Sequence, residues 1–420
     1  MAQTHFNLER EYLINHYRSK PIIGGYLLTN DFGFWVYLSR EEFDLLRHDK
    51  LGQNQALFSL LKDKGFIFAE SNSEKLINEF RQRARYLFRG AYHHVILLDN
   101  ADLELIDINE NMIKIANFAS QTPSKEIILE FKGAVVDNFH IVKKFVDLFK
   151  AKTEKKIMYR VEANLGNANK DVLDFLIDNR FDVWVPLKNL DLSEEIYNSI
   201  KELQRRHNLN FYLDVSDEIL GEEQKIIDFF AGSNFNSFFI RKTNEVSKDN
   251  FLDFWKRIMD LVYETNKKSR RVVIQELFSS ILLRKITSIN DVFYPELNSL
   301  CSGAVISGLA YNLKGEIYAN EESYGIEIFK IGNVNSNYNS VVLGEDSLAL
   351  ISTSIRGNAS LEISPYKPYI GNCPVCNYLE YSNIIGKYPT ERNRILTEML
   401  DYIFERMLLD KDFSKFILPV

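Results

Sequence analysis

A chain of 420 residues, 45% hydrophobic and 26% charged, carries enough apolar material for two or three domains and is composed like a folded globular protein. Its formal net charge of −7 argues against a general nucleic-acid binder. No stretch approaches the roughly 20 apolar residues of a spanning helix, the N-terminus has no apolar signal core, and three cysteines make no disulfide framework, so the expected setting is the cytoplasm, with no membrane contact.

The first predicted unit covers residues 1–90. Tyr26–Thr29 and Gly33–Leu38 read as strands flanking the turn sequence Asn30-Asp31-Phe32-Gly33. Ser39-Arg40-Glu41-Glu42 forms a capping box that opens a helix. A second helix over Gln55–Lys64 stops at Gly65, before the apolar run Phe66–Ala69. Two strands and two short helices predict a small winged-helix-like module, with Glu74–Arg89 as a basic connecting helix.

Over residues 91–270 short apolar strands alternate with amphipathic helices. The strands are predicted at His93–Leu98, Glu126–Phe131, Ile157–Glu162, Asp182–Leu187, Asn210–Val215 and Ser237–Arg241, the helices at Asn138–Lys150, Ser193–His207 and Asn250–Asn266. Six strand–helix units predict an α/β fold with a parallel sheet, open or curled into a partial barrel, whose functional end is the C-terminal end of the strands. His93 and His94 must point to opposite faces, whereas Arg160 and Glu162 share one. Within residues 271–420 a helix is predicted over Val272–Lys285, then hairpin pieces at Leu309–Asn312, Gly315–Tyr318 and Phe329–Val334, and a last amphipathic helix over Thr390–Leu409.

The candidate thiolate site is Cys373-x2-Cys376 with distant Cys301, three ligands for zinc or a residual iron–sulfur cluster, or else three small buried residues. Asp99, Asp102, Glu104, Asp107 and Glu110 could hold a divalent cation, but acidic residues opening a helix read first as a solvated face. The basic runs Arg81-Gln82-Arg83-Ala84-Arg85 and Lys267-Lys268-Ser269-Arg270-Arg271 read as solvated linker helices. No nucleophile–His pairing and no phosphate-binding glycine loop is apparent.

Several segments carry a family likeness: Ser124–Phe131 and Phe238–Arg241 among the strands, then Ile281–Ile286, Ala310–Ala319, Phe329–Val334, Pro374–Tyr378 and Gly386–Thr390. In order and spacing they resemble the B-type radical S-adenosylmethionine (SAM)/SPASM maturase of the His-Xaa-Ser peptide-modification systems, from about residue 25 to about residue 410. The resemblance implies a radical-SAM-type partial (β/α)6 barrel between the winged-helix-like module and a C-terminal SPASM-like region. It also implies a [4Fe–4S] cluster held by three thiolates within Leu98–Glu110, yet that stretch reads LDNADLELIDINE and has no thiol. The family's Gly-Gly-Glu-Pro loop is Lys132-Gly133-Ala134-Val135 here, so of the cofactor positions Gly133, Asn164 and Arg241 remain. The SPASM-like cysteines fall on Leu361, Ser364, Ile370 and Arg394. The expectation is a pseudoenzyme with no cofactor, a peptide- or partner-binding subunit whose partner could be an active radical SAM protein. Two alternatives stay open: an enzyme of another kind using the barrel cavity with a divalent metal or nucleotide, and a scaffold or sensor in a bacterial defence system.

Overall fold

The computed structural model describes residues 12–84, 90–98, 105–204, 209–233, 235–287, 304–356 and 359–418. Near the N-terminus lie strands β1 (Leu13–Ile14), β2 (Tyr17–Ile22), β3 (Gly25–Asn30), β4 (Trp35–Leu38) and β5 (Ile67–Phe68). The antiparallel order is β2-β3-β4, with β1 paired to β5. Strand β2 is an addition to the predicted pair. The reciprocal Ser39–Glu42 box opens helix Arg40–Arg47 as predicted, and helices Gln55–Asp63 and Glu70–Ala84 follow. Leu28, Val36, Phe43, Leu46, Leu57, Leu61 and Phe66 pack as a local core.

The central body is one ten-stranded sheet. Its strands are β6 (His93–Leu98), β7 (Glu126–Gly133), β8 (Lys156–Glu162), β9 (Asp182–Leu187), β10 (Leu209–Val215), β11 (Ser237–Lys242), β12 (Gln275–Glu276), β13 (Gly308–Asn312), β14 (Glu316–Tyr318) and β15 (Lys330–Asn333). From β6 to β12 every neighbour is parallel and in chain order; β13 runs parallel on the other side of β6, and β14 and β15 extend it antiparallel. All six predicted strands are present. The helix predicted over Val272–Lys285 is corrected at its start: Gln275 and Glu276 pair with β11, and the helix is Leu277–Thr287. Glu276 decides that boundary, because its buried carboxylate accepts from the Ile240, Phe278 and Ser279 amides and ties the strand to its neighbour.

The two sheet faces differ in chemistry. Leu129 and Phe131 of β7, Val161 of β8, Val183 of β9 and Phe211 of β10 point into the main core beneath the helices. By the two-residue period, Glu130, Lys132, Arg160, Glu162, Asp182, Asp214 and Arg241 share the opposite face. Arg241 of β11 reaches Glu162 of β8 at 2.8 Å, although strands three apart lie about 14 Å apart in a flat sheet. The polar face is therefore concave.

Candidate functional site

Within that concavity the charges are paired. His93 Nε2 lies 2.5 Å from Glu130 Oε2, and Glu130 is 2% exposed. Lys132 Nζ sits among three carboxylates: Glu321 at 2.7 Å, Glu162 at 3.3 Å and Glu130 at 3.6 Å. Arg160 reaches Asp182 at 3.2 Å and Glu130 at 3.7 Å. Arg241 forks onto both Asp214 oxygens at 2.6 and 3.0 Å and lies 3.9 Å from the Tyr212 ring centre. Burial works to raise the Glu130 carboxyl, but Lys132, His93 and Arg160 together hold it well below the ordinary range. Burial works to lower the Lys132 ammonium, and its ring of carboxylates overcomes this and holds it charged. Such a network is costly to desolvate and tolerable only when each charge has a partner. His94 points the other way: fully buried, it meets the Tyr311 hydroxyl at 2.7 Å, and desolvation holds the imidazole down to about 3, so it is a neutral core residue.

At the C-terminal ends of β7 and β8, a cavity of about 260 Å³ is lined by Gly133, Ala134, Val135, Val136, Asp137, Ala163, Asn164 and Gly166. It brings together Gly133 and Asn164, two of the three sequence-selected cofactor positions; Arg241 is not in its lining and is engaged by Glu162 and Asp214. Gly133 has φ +95°, and a Cβ there would meet the Leu98 carbonyl at 2.9 Å, so glycine is required by the close approach to β6. Asn164 spends its side-chain oxygen on the Gly166 amide, 3.1 Å away, capping the turn Leu165–Asn167. At the N-terminal ends of the strands a larger cavity, about 1090 Å³, is lined by Arg160, Asp182, Trp184 and Asn210 among others.

The third locus is the C-x2-C segment. Cys373 is the N-cap of helix Pro374–Tyr381 and accepts from the Cys376 amide at 3.5 Å. Glu322 Oε2 lies 4.0 Å from Cys376 Sγ, and Arg392 Nη1 reaches Glu322 at 3.1 Å and Cys376 Sγ at 3.9 Å. Of the predicted thiolate trio, Cys373 and Cys376 meet; Cys301 lies outside the described residues, as do Asp99, Asp102 and Glu104. The side chain of Asp107 also lies outside them, and exposed Glu110 pairs with Lys114 at 2.6 Å. Glu322 carries no signal in the sequence, being one of two adjacent acids in a turn. Arg394 pairs with Glu380 and the Pro389 carbonyl.

No protein-family model matches the sequence, and no curated protein matches it. Solved structures do match. One is hexahistidine-tagged anSMEcpe with bound AdoMet, at 12% identity and TM-score 0.61, covering 77% of this chain and 98% of that one. Another is Streptococcus suis SuiB bound to the precursor peptide SuiA, at 12% identity and TM-score 0.51, covering 88% of this chain and 97% of that one. Native anSMEcpe with bound AdoMet and Cp18Cys peptide matches at 12% identity and TM-score 0.61, over 76% and 98% of the two chains. This chain has the fold of radical SAM maturases. The family resemblance drawn from the sequence implies an iron–sulfur cluster, and the residues here do not fit one. The sequence has no cysteine before Cys301, whereas such clusters are held by Cys thiolates. The interior carboxylates and cations are engaged with one another. Among the described residues no helix is long and apolar enough to cross a membrane.

Proposed function

We propose that this chain is a catalytically silent relative of the radical SAM maturases that binds a peptide, or presents one to an active partner. The observation that carries the reading is the concave face itself. Where the resembled enzymes need thiolates after the first strand, this chain has no cysteine before Cys301, and it places Lys132 among Glu130, Glu162 and Glu321. The winged-helix-like reading of residues 1–90, the partial barrel and the SPASM-like assignment of residues 271–420 belong to the same proposal.

Peptide binding draws support from the N-terminal meander, since adding a strand to an exposed sheet edge is a recurring recognition mode. Strand β2 carries Pro21, which has no N–H to offer. Strand β4 has four residues with complete backbone groups, and among the described residues its backbone pairs only with β3. We assign the peptide to the β4 edge. SuiB bound to a precursor peptide and anSMEcpe bound to Cp18Cys are peptide complexes of the same fold.

The test has two arms. Anaerobic reconstitution with iron and sulfide should leave the protein colourless, and calorimetry with SAM should be flat. Peptides encoded beside the gene should bind, and Tyr37→Pro should abolish that binding with the far-ultraviolet spectrum unchanged. A four-iron chromophore sinks the silent-enzyme reading. Unchanged peptide affinity in Tyr37→Pro sinks the edge assignment. The cavity holding Gly133 and Asn164 supports a second reading, a small-molecule enzyme of another kind, and saturable nucleotide or SAM binding without iron would favour it.

A further inference from the structure

We propose that Cys373, Cys376 and Glu322 form a divalent-metal site suited to zinc, separate from the concave face and independent of the peptide reading. The one metal-ligating group of side chains among the described residues is this one, its three ligand atoms lying within 4.8 Å of one another. A tetrahedral zinc with Zn–S of about 2.3 Å and Zn–O of about 2.1 Å holds its ligand atoms roughly 3.5–3.8 Å apart. The observed Cys376 Sγ–Glu322 Oε2 separation is 4.0 Å, a few tenths of an ångström beyond that range.

The surroundings fit a charged metal centre. C-x2-C is a common zinc knuckle, and here Pro374 starts a helix directly after Cys373, fixing the pair on one turn. The Cys376 amide points at Cys373 Sγ, 3.5 Å away, so the two cysteines are held on one turn. Glu322 sits on a rigid arm: the turn Glu321–Ser323 is closed by a reciprocal Asn320–Ser323 cap, and Glu321 is anchored on Lys132 at 2.7 Å. Two thiolates, one carboxylate and a divalent cation leave a net charge of −1. Arg392, touching both Glu322 oxygens and Cys376 Sγ, neutralises it from the outer sphere. A cavity of about 40 Å³ lies on the Cys373 side, lined by Cys373, Arg392 and Gly371 among others; with three protein ligands, a zinc would take a water as its fourth. Thiolate donors select zinc over magnesium or calcium, and the carboxylate third ligand departs from the all-sulfur set of an iron–sulfur cluster.

The experiment is elemental analysis of the full chain purified without a metal-affinity tag, then cobalt titration of the chelator-stripped protein. About one zinc per chain is expected, with cobalt giving a sulfur-to-metal band in the near ultraviolet and intense tetrahedral bands in the visible. Glu322→Gln, at an exposed position that does not endanger folding, should weaken cobalt binding about 10- to 100-fold, and Cys376→Ser should roughly halve the sulfur band, leaving the contribution of Cys373. Less than about a tenth of an equivalent of zinc with no cobalt bands at saturation overturns the proposal. So does an iron–sulfur spectrum, a Cys373–Cys376 disulfide in the freshly isolated protein, or a Glu322→Gln variant that binds cobalt as tightly as the parent.

Discussion

The two faces of the central sheet solve burial in opposite ways. Beneath the helices, Leu129, Phe131, Val161 and Phe211 are fully buried and held by shape alone. One residue away along the same strands, Glu130 and Arg160 are almost as buried and are held by charge. Apolar packing degrades gradually, because a cavity costs in proportion to its size. A buried charge network fails abruptly, because removing one member strands the others without a partner.

That contrast can be broken deliberately. Lys132→Met removes the cation shared by Glu130, Glu162 and Glu321 and should cost about 3–5 kcal/mol in urea unfolding at pH 7. The Glu130 carboxyl is depressed in the folded state, so its stabilisation is complete above its unfolded value of 4.5 and is lost as pH falls through the folded value. The variant and parent should therefore converge in stability below that pH. Phe131→Ala should cost a comparable amount, about 3–5 kcal/mol, but by the same amount from pH 7 down through that acid range. If both losses prove pH-independent, the polar face is held by packing and the contrast is false. Arg241→Lys keeps the charge but gives up the fork on Asp214 and the stacking on Tyr212, and thermal unfolding should register about 2 kcal/mol. Lys156→Ala, at an exposed pair with Glu126, should change stability by no more than about 0.5 kcal/mol.

The same contrast explains what the sequence discloses. Parallel strands buried on their helix side announce themselves as short apolar runs, which is why His93–Leu98 and Asp182–Leu187 are readable to the residue. Period two also places Arg160 and Glu162 on one face. Their partners are tertiary facts: Arg241 is 79 residues from Glu162, and Lys132 reads in sequence only as a changed loop residue. Strand β2 is illegible for a related reason. Arg18, Ser19, Lys20 and Pro21 look like loop, and the strand exists because β3 pairs with it and Arg18 is seized by Asp31 and the Glu362 carbonyl. Of the cysteine site, the C-x2-C spacing is legible while its acidic member, supplied by a turn after β14, is not.

The contacts that fasten the N-terminal meander also carry a consequence for biosynthesis. Thr29 donates to the Pro365 carbonyl, Tyr369 to the Gly33 carbonyl, and Lys20 pairs with Asp401, so the meander docks on chain made at least 336 residues later. At about 5–20 residues per second, the ribosome needs roughly 20–70 s to deliver that partner. Through that interval the meander, which carries Ile22 and Leu27 of the main core, lacks these anchors. A nascent or C-terminally truncated chain therefore holds this meander without the polar contacts that fasten it in the finished protein, a natural handle for chaperones while synthesis proceeds and for proteases when it stops short.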